Sequence, residues 1–304
     1  MRILLIGGTR FVGLAIAREA LSRGHDVTIF HRGTTAPVGL EGATFIIGDR
    51  DEDDSVLAEG QWDATVDVCA YRPHQVDRLF DALAARGGQQ VYISTVSVYE
   101  QNIPAGSDES AELASLAPLE GLDPAACDIT GETYGPLKVM CENRVQELYT
   151  SPIIIRPTYV VGPDDYTMRF PTWVQRIAAG GVVQAPEPRD NAMQYVDARD
   201  QAAFVITLLE QGTVGTFHTP APAITFEEML LTIVDTVGPQ GTTLDWVTPS
   251  DADSLQPLDF PLWAGTEPVG MMAMDSSAAI NAGLSFRPLA ATVSDTLEWL
   301  SNRA

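Results

Sequence analysis

The chain has 304 residues, of which 41 are acidic and 18 basic, giving a formal charge of −23. A hydrophobic content of 45% suits one large or two smaller packed units and argues against wholesale disorder. So acidic a chain disfavours DNA and RNA, whose phosphates are held by many Lys and Arg contacts, and the single lysine, Lys138, is followed by Val139, which excludes a Gly-Lys-Ser/Thr phosphate loop.

The first elements alternate between strand and helix. Ile3–Ile6 is a short apolar run, as in a strand buried on both faces. Gly7-Gly8-Thr9-Arg10-Phe11-Val12-Gly13 follows it and opens a helix over 11–23, in which Val12, Ile16 and Ala20 recur every four residues and Gly24 marks the end. Glycines between a strand and a helix let backbone N–H groups approach a pyrophosphate, and the helix N-terminus favours its charge. The second strand, Val27–Phe30, ends in His31-Arg32-Gly33, where an NAD site would carry Asp or Glu for the adenosine ribose. Arg32, with Arg10 and His31, suits a 2′-phosphate instead, so NADP is favoured over NAD.

Strands are expected at 44–47, 64–68 and 91–93, with helices near 54–59 and 73–86. This βαβ alternation gives a doubly wound parallel sheet. The strand at 91–93 runs into Ser94-Thr95, at the carboxyl edge where such sheets bind ligands, and Thr95 is the first choice to orient a substrate oxygen, Ser94 the second. Residues 101–130 lack periodicity. A helix over 134–149 then begins Tyr134-Gly135-Pro136-Leu137-Lys138. The i, i+4 spacing puts Tyr134 and Lys138 on one face, about 6 Å apart at their β carbons. A neighbouring ammonium is expected to bring the phenol, normally near ~10, toward working pH. A strand at 153–155, helices near 171–179 and 198–211, a strand at 215–218 and helices near 225–237 and 289–301 complete the reading. Cys69, Cys127 and Cys141 lack CxxC spacing and the four histidines lack HExxH, so no metal site is expected. No apolar run reaches membrane-span or signal-peptide length, and the expected location is cytoplasmic, without membrane contact.

Taken together, these motifs resemble the short-chain dehydrogenase/reductase superfamily, and more closely its extended epimerase/dehydratase type. The likeness rests on the glycine loop, Gly48-Asp49-Arg50, Ser94-Thr95…Val98-Tyr99, Tyr134…Lys138, Arg156-Pro157…Val161-Gly162-Pro163 and Val196-Asp197-Ala198-Arg199-Asp200. Its Gly-Gly-x4-Gly loop is similar to an atypical subgroup that includes reductases, sugar-nucleotide enzymes and chloroplast stem-loop RNA-binding proteins. The resemblance implies an α/β, Rossmann-like fold: a dinucleotide-binding unit over 1–157, to which 192–219 returns, and a mainly substrate-binding lobe over 158–304. It places Asp49 and Arg50 at the adenine, Cys69 and Ala70 beside the nicotinamide, and Thr95, Tyr134 and Lys138 as the catalytic triad, with Lys138 also holding the cofactor ribose. The implied activity is an NAD(P)(H)-dependent oxidoreductase or epimerase acting on a carbonyl or secondary alcohol, a sugar nucleotide included. The rival reading is a non-catalytic nucleotide sensor or RNA-binding protein on the same fold.

The chain departs from the family twice. No Asn stands in the 73–86 helix, where the superfamily keeps a fourth catalytic residue, and Val96-Ser97 replaces the Asp-Glu pair of 4,6-dehydratases, which disfavours dehydration. On the substrate side Arg169, Arg176 and Arg189 are candidates to grip an anionic group such as a diphosphate, and Tyr159 to stack on a ring. The expected partner is a small molecule. A homodimer is left open.

Overall fold

The computed structural model describes residues 1–35, 38–52, 54–248, 259–266 and 269–303. Strand β1 (Arg2–Ile6) leads into helix α1 (Phe11–Ser22), then β2 (Asp26–His31), β3 (Thr44–Ile47), β4 (Ala64–Asp67), α2 (Pro73–Leu83), β5 (Gln89–Ile93), α3 (Tyr134–Leu148) and β6 (Ile153–Arg156). The second half runs β7 (Tyr159–Val161), α4 (Arg169–Ala178), β8 (Val182–Pro186), β9 (Ala192–Met193), β10 (Tyr195–Asp197), α5 (Ala198–Gln211) and β11 (Gly215–His218). It ends with β12 (Ile224–Thr225), α6 (Phe226–Val237), β13 (Thr243–Val247), α7 (Ser277–Asn281) and α8 (Leu289–Ser301).

Seven strands form one sheet in the order β11-β6-β5-β4-β1-β2-β3, every pair parallel. The Rossmann-like doubly wound expectation holds. Chain direction across the sheet reverses at β1, which lies between β2 and β4, so a crevice opens at the strands' carboxyl ends.

The period-2 geometry of a strand explains why the central runs are apolar throughout. Ile3 and Leu5 face a cluster shared with Ile16, Ala20, Phe204 and Leu208 of α1 and α5, while Leu4 and Ile6 face Leu57, Leu79 and Leu83 on the other side. In β5, Val91 and Ile93 join the first face, and Tyr92 packs with Val76, Cys141 and Val145 of α2 and α3. Each such side chain contributes roughly 1.5–3 kcal/mol by leaving water.

Away from the sheet, Phe170, Trp173 and Ile177 of α4 pack with Phe226, Leu230 and Ile233 of α6 and Val293 of α8. The short strands β7, β8, β9, β10, β12 and β13 were not apparent in the sequence. They pair only with one another, β8 with β13 and β7 with β10 in parallel, β9 with β12 antiparallel. The expected helix over 54–59 is a 3-10 turn, Ser55–Glu59, and the one over 73–86 ends as a helix at Leu83 and finishes in a 3-10 turn.

A buried polar network fixes α3 to the sheet. Arg156, at the end of β6, donates from Nε and Nη2 to both carboxylate oxygens of Glu142 in α3, at 3.0 and 2.6 Å. Its Nη1 reaches the Tyr99 hydroxyl and the Glu109 carbonyl. His218 Nδ1 lies 2.9 Å from the Asp275 carbonyl, so that nitrogen carries the proton and Nε2, 2.8 Å away, accepts from Tyr99. Burial lowers the imidazole's pKa and keeps this neutral form. Glu142 and His218 are fully buried, so the network stabilises only while every member is paired. Glu142→Ala strands the Arg156 guanidinium and is expected to lower the unfolding free energy by about 3–5 kcal/mol in urea denaturation; an unmoved midpoint would contradict the pairing.

Candidate active site

The crevice is a cavity of about 790 Å³ lined by the ends of β1, β2, β4 and β5, the start of α3 and the residues before α4. Gly7 has φ +88°, and a Cβ on Gly13 would lie 2.1 Å from the Gly7 carbonyl oxygen, so only glycine lets α1 start against the loop. No side chain caps α1 and its first turn holds no acid, which leaves its N–H groups open to an anion. Gly7, Thr9, Arg10, Phe11, Val12 and Gly13 line the cavity; Gly8 does not, and packs on Ile29.

The basic side chains around the opening differ in how they are held. Arg10 donates from Nε to Thr35 at 2.8 Å and lies over the Tyr166 ring. Arg32 is exposed with no partner among the described residues, and His31, its pKa lowered by burial, accepts from the Gly33 N–H. Asp49 lines the cavity, as does Arg50, but the Arg50 guanidinium is committed inward, to both oxygens of buried Asp67 at 2.7 and 2.9 Å. Five basic residues (Arg10, Arg32, Arg50, Lys138, Arg169) and two acidic ones (Asp49, Asp51) line this cavity. In a chain of charge −23 it is a locally positive pocket.

The catalytic candidates converge at the foot of the cavity. Thr95 Oγ1 accepts from the Ser97 N–H at 3.1 Å and lies 3.2 Å from the Ser97 hydroxyl, capping a one-turn 3-10 helix at 96–98. A Cβ on Gly135 would meet the Ser97 carbonyl oxygen at 2.2 Å, so glycine at this position lets α3 begin against that turn and brings Tyr134 beside Thr95. Burial raises the Tyr134 pKa; hydrogen bonding to Thr95, and then the positive charge of Arg169, oppose it. The spacing on the helix assigned that tuning to Lys138. Instead, Lys138 is buried, donates to the carbonyls of Ala70 and Ile93 at 3.0 and 2.8 Å, and sits over the Tyr92 ring. Ala70 does not line the cavity; it takes part through that carbonyl, whereas Cys69 does line it. Ser94 lines the cavity too, its buried hydroxyl without a partner among the described residues.

Of the substrate candidates, Tyr159 and Arg169 reach the cavity, with Arg169 over the Tyr159 ring. Arg189 does not. It pairs with Glu227 in the first turn of α6 and lies over Trp246. Sequence reasoning missed Tyr71, Gln101, Tyr166, Met271 and Met272, all on the cavity wall. Tyr71 lies two residues beyond Cys69, which the family resemblance had placed beside the nicotinamide. The methionines carried no signal: they arrive because Gly270 donates to the Gln101 carbonyl and Gly106 to that of Ala273.

Residues 3–218 match the NAD-dependent epimerase/dehydratase family. The chain is similar to the chloroplast stem-loop binding protein of 41 kDa b from Arabidopsis thaliana, 27% identical over 68% of this chain and 55% of that protein. It is similar as well to a 2-alkyl-3-oxoalkanoate reductase from Stenotrophomonas maltophilia, 26% identical over 59% of this chain and 57% of that one. It thus spans little more than half the length of these relatives. The structure of UDP-N-acetylglucosamine 4-epimerase from Bacillus cereus superposes with a TM-score of 0.73 at 19% identity, covering 100% of both chains, which is a likeness of fold. No helix among the described residues is long and apolar enough to cross a membrane.

Burial penalises the Lys138 ammonium and holds its pKa at about 8 rather than 10.5. Between those values the unfolded chain keeps the proton and the folded chain has released it, so this group's contribution to stability grows as pH rises through that window. In Lys138→Met that gain is lost. Urea denaturation of both proteins across the window is expected to show the parent's relative stability climbing with pH; a constant offset between the two curves would refute the shifted lysine.

Proposed function

The chain belongs to the NAD-dependent epimerase/dehydratase family, and from that premise we propose that it interconverts a carbonyl and a secondary alcohol, as a reductase or an epimerase. The observation that carries this reading is the placement of Tyr134 beside Thr95 on the cavity wall, with the Lys138 ammonium beneath. A nicotinamide dinucleotide, when bound, supplies or accepts the hydride. The glycine loop, the uncapped start of α1 and the positive lining fit its phosphates.

Tyr134 gives its proton to the oxygen of a carbonyl being reduced, or takes it from an alcohol being oxidised. Its phenol stands in partly buried surroundings that favour the protonated form, so a donor is ready, while Thr95 and Arg169 keep the phenolate within reach. Thr95 and Ser97 orient the substrate oxygen, and Lys138, anchored on two carbonyls, keeps one N–H for the cofactor ribose. Residues 1–157 with 192–219 hold the cofactor in this reading, and 158–304 mainly the substrate. The work is cytoplasmic, and association of two copies through paired helices is compatible with it.

NADP is the preferred cofactor in this reading, because Arg32 stands unpaired among the described residues at the end of β2, where no carboxylate of that strand end competes for the position. The rival, an RNA-binding scaffold or nucleotide sensor, is less well supported: a charge of −23 opposes RNA, and a sensor has no use for a tyrosine, threonine and lysine set gathered at the cavity.

Tyr134→Phe is expected to retain NADPH affinity, measured by fluorescence titration, and to lose at least a hundredfold in turnover, about the share that a general acid supplies. Turnover kept at the parental rate would remove Tyr134 from the mechanism. Arg32→Asp is expected to lower the ratio of NADP to NAD affinity by roughly tenfold or more, the scale of a charge-assisted pair. An unchanged ratio would rule out a contact to the 2′-phosphate.

A further inference from the structure

Most arginines in this chain are already occupied. Arg2, Arg18, Arg23, Arg50, Arg78 and Arg144 are each paired to a carboxylate, as expected where acids outnumber bases by more than two to one. Arg169 is an exception. It lines the cavity, its Nε donates to Thr167 Oγ1 at 3.2 Å, and neither Nη group has a partner among the described residues. The guanidinium lies over the Tyr159 ring, 5.6 Å from its centroid. The acid nearest in sequence, Asp165, is buried and spent on the N–H and hydroxyl of Thr167 and the N–H of Phe170, so it serves the start of α4 rather than Arg169.

The cavity's other cations among the described residues fall to the cofactor in the reading above, Arg10 at the start of α1, Arg32 at the end of β2 and Lys138 toward the ribose, while Arg50 is spent on Asp67. Ser94, Ser97, Gln101 and Thr158 are neutral donors and acceptors, and Met271 and Met272 are apolar. The other arginines expected on this side are engaged elsewhere: Arg189 with Glu227, and Arg176 with the Asp259 carbonyl and the Trp173 ring. A diphosphate spreads its charge over two phosphate groups and calls for a cationic contact at each, whereas a single planar fork matches one carboxylate or one phosphate.

We infer that the substrate carries a single anionic group, a carboxylate or a phosphate monoester, received by the free Nη edge of Arg169 beside Tyr134, and that it is not a nucleoside-diphosphate sugar. The inference rests on the carbonyl–alcohol reading above and names the substrate class for that same site.

Binding and turnover are measured separately, on the full chain. Calorimetry is run with NADP⁺ present, so that keto probes are not reduced. The probes are 3-oxohexanoate, its methyl ester, dihydroxyacetone phosphate and UDP-glucose. At least one of the two probes with a single anionic group is expected to bind roughly ten to a hundred times more tightly than the neutral ester, the range for hydrogen bonds to a charged partner, and more tightly than UDP-glucose. Arg169→Gln is expected to bring the anion-to-ester ratio to about one, while Arg169→Lys, which keeps the charge and controls for a folding defect, retains part of it. Tighter binding of UDP-glucose, no preference for either anion over the ester, or a preference that survives in Arg169→Gln would overturn the inference. NADPH consumption reads the underlying activity: an Arg169-dependent anion preference without Tyr134-dependent consumption would sink the carbonyl reading and leave the anion site standing.

Discussion

The arrangement depends on a buried ammonium. Lys138 sits inside the sheet–helix layer, where charge is penalised, and is held by the carbonyls of Ala70, just beyond β4, and Ile93, the last residue of β5. Those two bonds tie α3 to the carboxyl ends of two strands at the edge where the crevice opens. One turn earlier on α3 is Tyr134, and two residues after Ile93 is Thr95, so the anchor that satisfies the ammonium also sets the distance between the phenol and the hydroxyl. One turn later Glu142 takes the Arg156 guanidinium from β6. Helix α3 is thereby fixed at two heights, and along the spacing Tyr134, Lys138, Glu142 the first two line the cavity and the third serves the fold.

Charge is distributed to the same end. With acids in large excess, an arginine left near a carboxylate is neutralised, as Arg50 is by Asp67 even though it reaches the cavity wall. A positive pocket in such a chain therefore requires that acids be kept off selected guanidinium groups. Arg10, Arg32 and Arg169 line the cavity and have no carboxylate partner among the described residues; the first is steadied by a threonine and a tyrosine ring, the third by another threonine and another ring. Neutral hydroxyls and aromatic faces orient these side chains without cancelling their charge.

Much of this was legible in the sequence because it is local. Buried strands are continuous apolar runs, the helix over 134–149 declares itself by spacing, and the glycines of the loop follow from backbone approach, so the sheet and the residues at its carboxyl edge could be named. What was not legible is set by distant pairing. Met271 and Met272 reach the cavity through backbone bonds from their own segment to the one that follows β5, far earlier in the chain, and no pattern around them signals it. Arg169 and Arg189 look alike in sequence, but only the structure shows Glu227 beside one of them. The short strands of the second half pair with partners far along the chain and are too brief to carry a period. Tyr134 is the instructive case: its helical neighbour Lys138 was the natural candidate to tune it, yet the groups that do so come from the strand end and from the start of α4.

That last finding links recognition to chemistry. Arg169 is both the free guanidinium on the substrate side and one of the two groups that ease ionisation of Tyr134. An anion seated on Arg169 offsets the positive charge that the phenolate would otherwise feel, which leaves burial as the larger influence and favours the protonated phenol. Under that reading a charged substrate would favour its own proton donor on binding, whereas a neutral one would meet a tyrosine more willing to ionise. In the reading proposed above, one side chain would face both the substrate's charge and the group that delivers its proton.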